Sequence, residues 1–244
     1  MSKTFTDTSW DQLQQLRSRF EAELARATSL AAAAQQFTDT AAATFSTIAL
    51  ARMFLVGSLG ALPEPEQAWA TQFAASAGRA VPLAPAIPVL SLLGTTGVEP
   101  AWNRRDASAG HRAIPLVDRA LVEGAPMLAE LLAALNVKLG WARDDTAVQL
   151  RAMSGGLNSR FFVADAGAAV DTQGRAIIAA RDFVARYQIR SVFGMGGTYI
   201  DGRMAIFVAF TREALTPAVV DRFSSFISTF KMATAELVAR GAVF

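Results

Sequence analysis

Apolar residues at helical spacing predict a long helix at the start of the chain. The residues that recur every three or four positions are Trp10, Leu13, Leu16, Phe20 and Leu24. This spacing places their side chains on one face of an α-helix. One of three residues, Asp7, Thr8 or Ser9, caps its start, and the helix is predicted to continue through an alanine-rich stretch to about Gln36. This apolar stripe is equally consistent with packing on its own domain and with an interface between two copies of the chain.

Residues 47–93 alternate between strand-like and helical patterns. Residues 47–56 (TIALARMFLV) are rich in β-formers and predict a strand. Residues 63–78 predict a second helix, since proline is tolerated in a first helical turn, and residues 89–93 predict a short buried strand. Residues 94–113 are polar and aperiodic, which indicates a long loop.

The second half of the chain predicts helices around a β-hairpin. Residues 117–135 and 176–187 have helical patterns, the first broken near Pro126, and a brief strand is predicted at 160–163. Two apolar runs, 189–195 and 204–210, flank a turn that contains Asp-Gly, which is typical of an antiparallel hairpin. A last helix presents one broad apolar face made of Val219, Phe223, Phe226, Ile227, Phe230, Leu237 and Val238.

No repeat or linker divides these elements, so we expect a single domain over residues 1–244. Its predicted parts are an N-terminal helix (1–36), a sheet core with helices (46–212) and a C-terminal helix (216–241). Strands paired by a hairpin and flanked by helices indicate an α+β fold, with a central antiparallel sheet and helices on one face. The 52% of hydrophobic residues is enough for a substantial core.

Composition narrows the location and the partners. The 23 basic residues are nearly balanced by 21 acidic ones and are scattered, so no nucleic-acid partner is expected. The most hydrophobic stretch, residues 47–62, is shorter than the roughly 20 residues of a spanning helix, and the N-terminus lacks the pattern of a secretory signal. The chain has no cysteine, which suits an intracellular protein. We therefore expect a cytoplasmic protein with no membrane partner.

The residue types available argue against common catalytic and metal sites. With no cysteine and His111 as the single histidine, the chain lacks the parts of a nucleophilic triad and of an ordinary zinc site. The glycine run at residues 194–197 lies between two predicted strands, so it indicates a hairpin rather than a phosphate loop. No catalytic residue and no metal ligand is predicted, and the protein is not expected to be an enzyme. An enzyme that uses Arg105 and His111 is kept as an alternative.

The loop at residues 94–113 carries the candidate ligand-binding residues. They are Trp102, Asn103, Arg104, Arg105 and His111. Together with Arg112 they could clamp an anionic or planar ligand through guanidinium contacts and stacking, and we expect Trp102, Arg105 and His111 to lie around one side of a cavity. The alternative is an ordered loop whose polar groups are satisfied within the protein. A further alternative is haem bound through His111.

The same loop resembles a known family. The segment LLGTTGVEPAWNRRDASAGHRAIPL (92–116), with IRSVFGMGG (189–197) and DGRMAIFVAF (201–210), is similar to the GAF-like sensor domains of bacterial signalling proteins such as sensor kinases. The matching positions are Gly94, Glu99, Pro100, Trp102, Asn103, Arg105, Gly110, His111 and Pro115. The resemblance spans roughly residues 87–212 and implies an antiparallel sheet with helices on one face and a small-molecule pocket on the other. It identifies no ligand or cofactor, since fold does not determine function.

These patterns lead to one expected function and to two alternatives besides the enzyme that uses Arg105 and His111. The chain is expected to be a stand-alone GAF-like sensory or regulatory domain that binds a small molecule or relays a signal to a partner protein, as a homodimer through its terminal helices. The alternatives are a protein-interaction or dimerisation module without a ligand, and a haem-binding sensor.

Overall fold

The computed structural model describes residues 3–108, 110–140, 149–152 and 159–244. In chain order the elements are α1 (Trp10–Leu24), α2 (Leu30–Thr44), β1 (Ile48–Ser58), α3 (Glu64–Ser76), β2 (Pro88–Gly97), β3 (Ala113–Pro115), α4 (Arg119–Glu123), α5 (Pro126–Ala134), β4 (Val137–Gly140), β5 (Gln149–Ala152), β6 (Ser159–Val163), α6 (Arg181–Arg186), β7 (Ser191–Thr198), β8 (Met204–Thr211), α7 (Pro217–Phe223) and α8 (Ser225–Ala239). Two short 3-10 turns, Pro100–Trp102 and Arg105–Ala107, lie between β2 and β3.

The centre of the molecule is a six-stranded sheet with strand order β3-β2-β1-β8-β7-β6. Every neighbouring pair in it is antiparallel, and β7 and β8 form the predicted hairpin. Strands β4 and β5 pair separately. The predicted α+β class, with an antiparallel sheet flanked by helices, is confirmed.

Helices cover both faces of this sheet. The long helices α1, α2 and α8 pack on one face and form what we call the first core. The short helices α4, α5 and α6 pack on the opposite face and form the second core. The sequence argument placed helices on one face only, and this was wrong because β1 carries apolar residues on both sides, as a strand buried on both faces does.

The predicted N-terminal helix of residues 1–36 is two helices. Ser29 adopts an extended conformation, and its side chain accepts a hydrogen bond from the backbone N–H of Ala32, so it begins α2 as an N-cap. The start of α1 is the one predicted, because Ser9 and Gln12 form a capping box.

The apolar stripe on α1 packs within the chain. Its buried members are Leu13, Leu16, Phe20 and Leu24. Phe20 stacks on Phe37 of α2 at 4.3 Å and meets Phe226 of α8 edge-on at 5.4 Å. Trp10 is the exception, at 64% exposed. Of the two interpretations of the stripe, packing on its own domain is therefore correct for all but Trp10.

The helical segment predicted at 117–135 is divided into α4 and α5 near Pro126, as predicted. Two other boundaries moved for local reasons. The helix predicted from residue 176 starts only at Arg181, because Ala176 forms an isolated bridge with Val170. The loop predicted to begin at residue 94 begins after Gly97, since β2 pairs with β1 along residues 94–97. No helix in the described ranges is long and apolar enough to cross a bilayer.

Candidate functional site

Arg52 interrupts an otherwise apolar central strand and faces the second core. Side chains alternate between the two faces of a strand. Ala51 and Met53 belong to the first core, while Leu50 and Phe54 belong to the second. The alternation therefore directs Arg52 onto the face covered by the short helices and by the loop between β2 and β3.

The guanidinium of Arg52 lacks a counter-charge within the described part of the chain. The ion pairs there join other residues, and its buried Nε has no hydrogen-bond acceptor. Desolvation lowers the pKa of Arg52 to about 10, so the side chain stays charged at neutral pH. A desolvated cation without a partner reduces stability. Such costs concentrate at functional sites, which makes Arg52 a candidate for ligand binding.

Thr95 of β2 lies directly opposite Arg52 in the sheet. The two residues are cross-strand partners. The backbone N–H of Thr95 donates to Gln35 Oε1 at 3.1 Å, and its carbonyl accepts from Gln35 Nε2 at 2.9 Å. Because Gln35 of α2 binds both backbone groups of Thr95, Arg52 and Thr95 form a cross-strand pair without hydrogen bonds to each other. In pairs of this type the Cα atoms lie about 4.5 Å apart, and the side chains are closer than in hydrogen-bonded pairs.

The hydroxyl of Thr95 is also without a partner. Gly94 faces the backbone of α2, so Thr95 faces the other side of the sheet, the side of Arg52. Thr95 is 1% exposed, and its Oγ1 has no hydrogen-bond partner among the described atoms. Two buried polar atoms, Arg52 Nε and Thr95 Oγ1, thus lie on the same face of neighbouring strands, and we call them the polar cluster. Neither has a hydrogen-bond partner among the described atoms, although folded proteins normally supply one.

His111 lies at the edge of this cluster. The backbone N–H of Leu92 donates to the carbonyl of Arg112 at 2.9 Å, so the chain before β3 follows β2 towards Thr95. Desolvation, and then the positive charge of Arg52, lower the pKa of His111 to about 4. His111 is therefore uncharged at neutral pH, although the residue as a whole is exposed.

Trp102 supplies an aromatic neighbour on the same face. Its ring lies 4.7 Å from the ring of Tyr187 and 5.6 Å from that of Phe183. A Cβ atom on Gly97 would lie only 2.7 Å from Trp102 Cε3. Gly97 is two residues beyond Thr95 and therefore on the same face, so Trp102 sits about 7 Å along the strand from the polar cluster.

Asn103 and Arg104 have local partners. The Oδ1 atom of Asn103 accepts a hydrogen bond from the backbone N–H of Gly97 at 2.8 Å, which ties the loop to the end of β2. Arg104 pairs with Asp106 at the surface, and its side chain is 72% exposed. These contacts suit an ordered loop.

Arg105 and Arg112 share one buried carboxylate. Glu66 of α3 is 2% exposed and accepts from Arg105 Nη1 at 2.9 Å and from Arg112 Nη2 at 3.0 Å. The guanidinium of Arg105 also lies 4.6 Å from the centre of the Phe244 ring. Arg105 therefore contacts α3 and the C-terminal residue, and Trp102 contacts α6. His111 lies near Arg52 of the polar cluster. The structure gives no common contact for the predicted set of Trp102, Arg105 and His111.

Sequence reasoning missed Arg52 and Thr95. Arg52 was not singled out, because residues 47–56 were interpreted only as an apolar strand. The available signal was a charged residue inside a strand whose neighbours are all apolar, since such a residue must be paired, solvated or functional. Thr95 carried no comparable signal, because its importance depends on its cross-strand partner.

An open groove of about 290 Å³ lies elsewhere, between the N-terminal segment and α1, and its walls include Lys3, Gln12 and Arg19. Arg19 is paired with Glu23 at 2.7 Å, and the groove is open to water, so its polar groups need no ligand. No cluster of three or more potential metal-ligating residues occurs in the described ranges.

Arg52 should control the titration of the single histidine. In an Arg52→Met variant we expect the pKa of His111 to rise above its value of about 4, because the positive charge that opposes protonation is removed. It should stay below the ordinary value of 6.5, since desolvation persists. NMR titration of the imidazole signals measures this directly. Arg104→Met is the control and should leave the pKa unchanged; equal values in Arg52→Met and the parent protein would place His111 outside the reach of Arg52.

Comparison with solved structures identifies the fold. No family model matches the sequence, and no curated protein matches it. A GAF domain from a phosphoenolpyruvate-protein phosphotransferase of Coxiella burnetii matches with a TM-score of 0.52 at 8% identity, covering 97% of this chain and 100% of that one. The free methionine-R-sulfoxide reductase of Neisseria meningitidis, solved with its substrate, matches with a TM-score of 0.51 at 9% identity, covering 98% of each chain. The resemblance noted in the sequence is confirmed at the level of architecture: the chain has the GAF-like fold.

Proposed function

We propose that this chain is a sensory or regulatory domain that binds a small molecule on the sheet face marked by Arg52, Thr95 and His111. The observation that carries the proposal is the pair of partnerless polar atoms, Arg52 Nε and Thr95 Oγ1, on adjacent strands. A ligand that supplies acceptors would satisfy both. The neighbours with this fold include a GAF domain of a phosphotransferase, which supports a regulatory role. Relay of a signal to a partner protein is part of the proposal.

Of the predicted binding residues, the proposal keeps two and reassigns three. His111 and Trp102 border the polar cluster. Asn103, Arg104 and Arg105 are proposed to hold the loop that carries them, because each has a partner within the protein. The same contact of Arg105 with Glu66 weakens the alternative of an enzyme built on Arg105 and His111. One of the two solved structures named above is an enzyme, so the fold alone does not decide between sensing and catalysis.

Haem binding and dimerisation through the terminal helices have less support. Among the described residues, nothing around His111 favours haem: the charge that affects its pKa is the cation Arg52. Association of two copies through the terminal helices stays a prediction. On those helices, α1 and α8, the large apolar side chains that remain mostly exposed in the described structure are Trp10 and Met232.

A ligand screen tests the proposal against a pure interaction module. We expect native mass spectrometry to reveal a bound small molecule, or a thermal-shift screen of nucleotides, haem, bilins and organic acids to give a hit. A ligand present at a hundred times its dissociation constant adds about 2.7 kcal/mol of stability. The shift should be lost in Arg52→Met and kept in Arg104→Met.

The same variant should be more stable than the parent protein when no ligand is present. Removing a desolvated, unpaired guanidinium is expected to raise the free energy of unfolding by about 1 kcal/mol. A gain in stability together with a loss of binding identifies a residue retained for function. Hits that bind Arg52→Met as well as the parent protein would contradict this site, and the absence of any bound molecule or hit would favour the interaction module.

A further inference from the structure

We propose that the ligand of this site is a small organic monocarboxylate, whose carboxylate binds Arg52 and Thr95 and whose apolar part lies towards Trp102. This inference rests on the proposed function and adds the chemical class of the ligand.

The arrangement of donors fits a carboxylate. Arginine presents its Nε–H and one Nη–H as a planar fork that binds two oxygens of a carboxylate at once. In Arg52 the Nε member of that fork has no partner among the described residues. The hydroxyl of Thr95, on the adjacent strand, can donate a third hydrogen bond to the same group.

The charge of the site fits a single negative charge. Three other cations of the neighbouring loop are committed: Arg105 and Arg112 bind Glu66, and Arg104 binds Asp106. His111 is uncharged at neutral pH, since its pKa is lowered to about 4. Arg52 therefore supplies one positive charge. A carboxylate balances it, whereas a doubly charged phosphate would bring an uncompensated charge into a desolvated site.

The surroundings fit an apolar body next to the carboxylate. On one side of Arg52 along β1, Phe54 and its partner Leu92 are fully packed, at 6% and 0% exposed. On the other side the sheet carries Gly97, which leaves room for the ring of Trp102. Trp102 is partly exposed. A ligand anchored at Arg52 would thus have a partly exposed tryptophan about 7 Å away along the strand.

Three matched probes test the ligand class on the full chain. Sodium benzoate, benzamide and phenyl phosphate share one ring and differ in charge, and the NMR signals of His111 report binding beside Arg52. We expect benzoate to shift these signals saturably and benzamide to leave them unchanged. In Arg52→Met the affinity for benzoate should fall roughly tenfold or more. Thr95→Val, which keeps the side-chain shape, should lower it by about threefold to tenfold, and Arg104→Met should have no effect.

The outcomes separate this inference from the proposed function. Equal binding of benzamide and benzoate would overturn the carboxylate while leaving a small-molecule site intact. Tighter binding of phenyl phosphate would overturn the choice of a singly charged group. If benzoate produces no Arg52-dependent shift up to its solubility limit, the carboxylate proposal fails, and a hit from the ligand screen that needs Arg52 would still support a sensory site.

Discussion

Replacing Gly94 by alanine is expected to lower the free energy of unfolding by about 3 kcal/mol, because the added methyl group has no space. A Cβ atom at this position would lie 2.4 Å from the carbonyl carbon of Ala34 and 2.5 Å from the backbone nitrogen of Gln35. These are backbone atoms of α2, which cannot rotate away as a side chain can. Relief requires α2 and β2 to separate.

Gly110 provides the matched control for Gly94. A Cβ atom there meets no described atom within 4 Å, so Gly110→Ala should change stability by less than about 0.5 kcal/mol. Urea denaturation of both variants measures the difference. Because Gln35 of α2 holds both backbone groups of Thr95, Gly94→Ala should also displace the Arg52–Thr95 pair and shift the NMR signals of His111. A Gly94→Ala variant as stable as Gly110→Ala would show that the helix does not contact the strand this closely.

Replacing Glu66 by glutamine is expected to cost about 3 kcal/mol of folding free energy. Its carboxylate is almost completely buried and accepts hydrogen bonds from both Arg105 and Arg112. Glutamine keeps the size of the side chain but leaves two guanidinium groups without a counter-charge, and breaking a buried pair in this way costs several kcal/mol.

Asp106→Asn is the control for Glu66→Gln. It removes a carboxylate from the same loop, but its partner Arg104 is 72% exposed, and exposed ion pairs contribute little to stability. Chemical denaturation should therefore separate the two variants clearly. Similar losses for both would mean that Glu66 acts as an ordinary surface carboxylate and that Arg105 remains free to bind a ligand.

Local patterns were enough to predict most of the elements. The hairpin of β7 and β8, the strand at residues 47–56 and the division of the helix near Pro126 all came from periodicity, turn residues and breakers. These signals are contained within a few neighbouring residues, so they do not depend on the rest of the fold. The single N-terminal helix failed for a related reason: a cap at Ser29 competes with an alanine-rich sequence of high helix propensity.

Local patterns could not predict the partners of charged residues. The polar loop drew attention to Arg105 because it is polar and matches a family segment, yet its carboxylate partner is Glu66, which lies on α3, 39 positions earlier in the chain. No short-range pattern links the two positions.

The α+β class, the hairpin, the long apolar helices and the scarcity of catalytic residue types follow from the amino-acid sequence alone, because each depends on composition or on local spacing. Which polar residues are left without partners depends instead on tertiary packing. Arg52 and Thr95 lie side by side because of the register in which β1 and β2 pair, while α2 takes the backbone groups of Thr95. The proposed binding site therefore depends on which polar groups long-range packing leaves unsatisfied, and no single segment of the chain determines that.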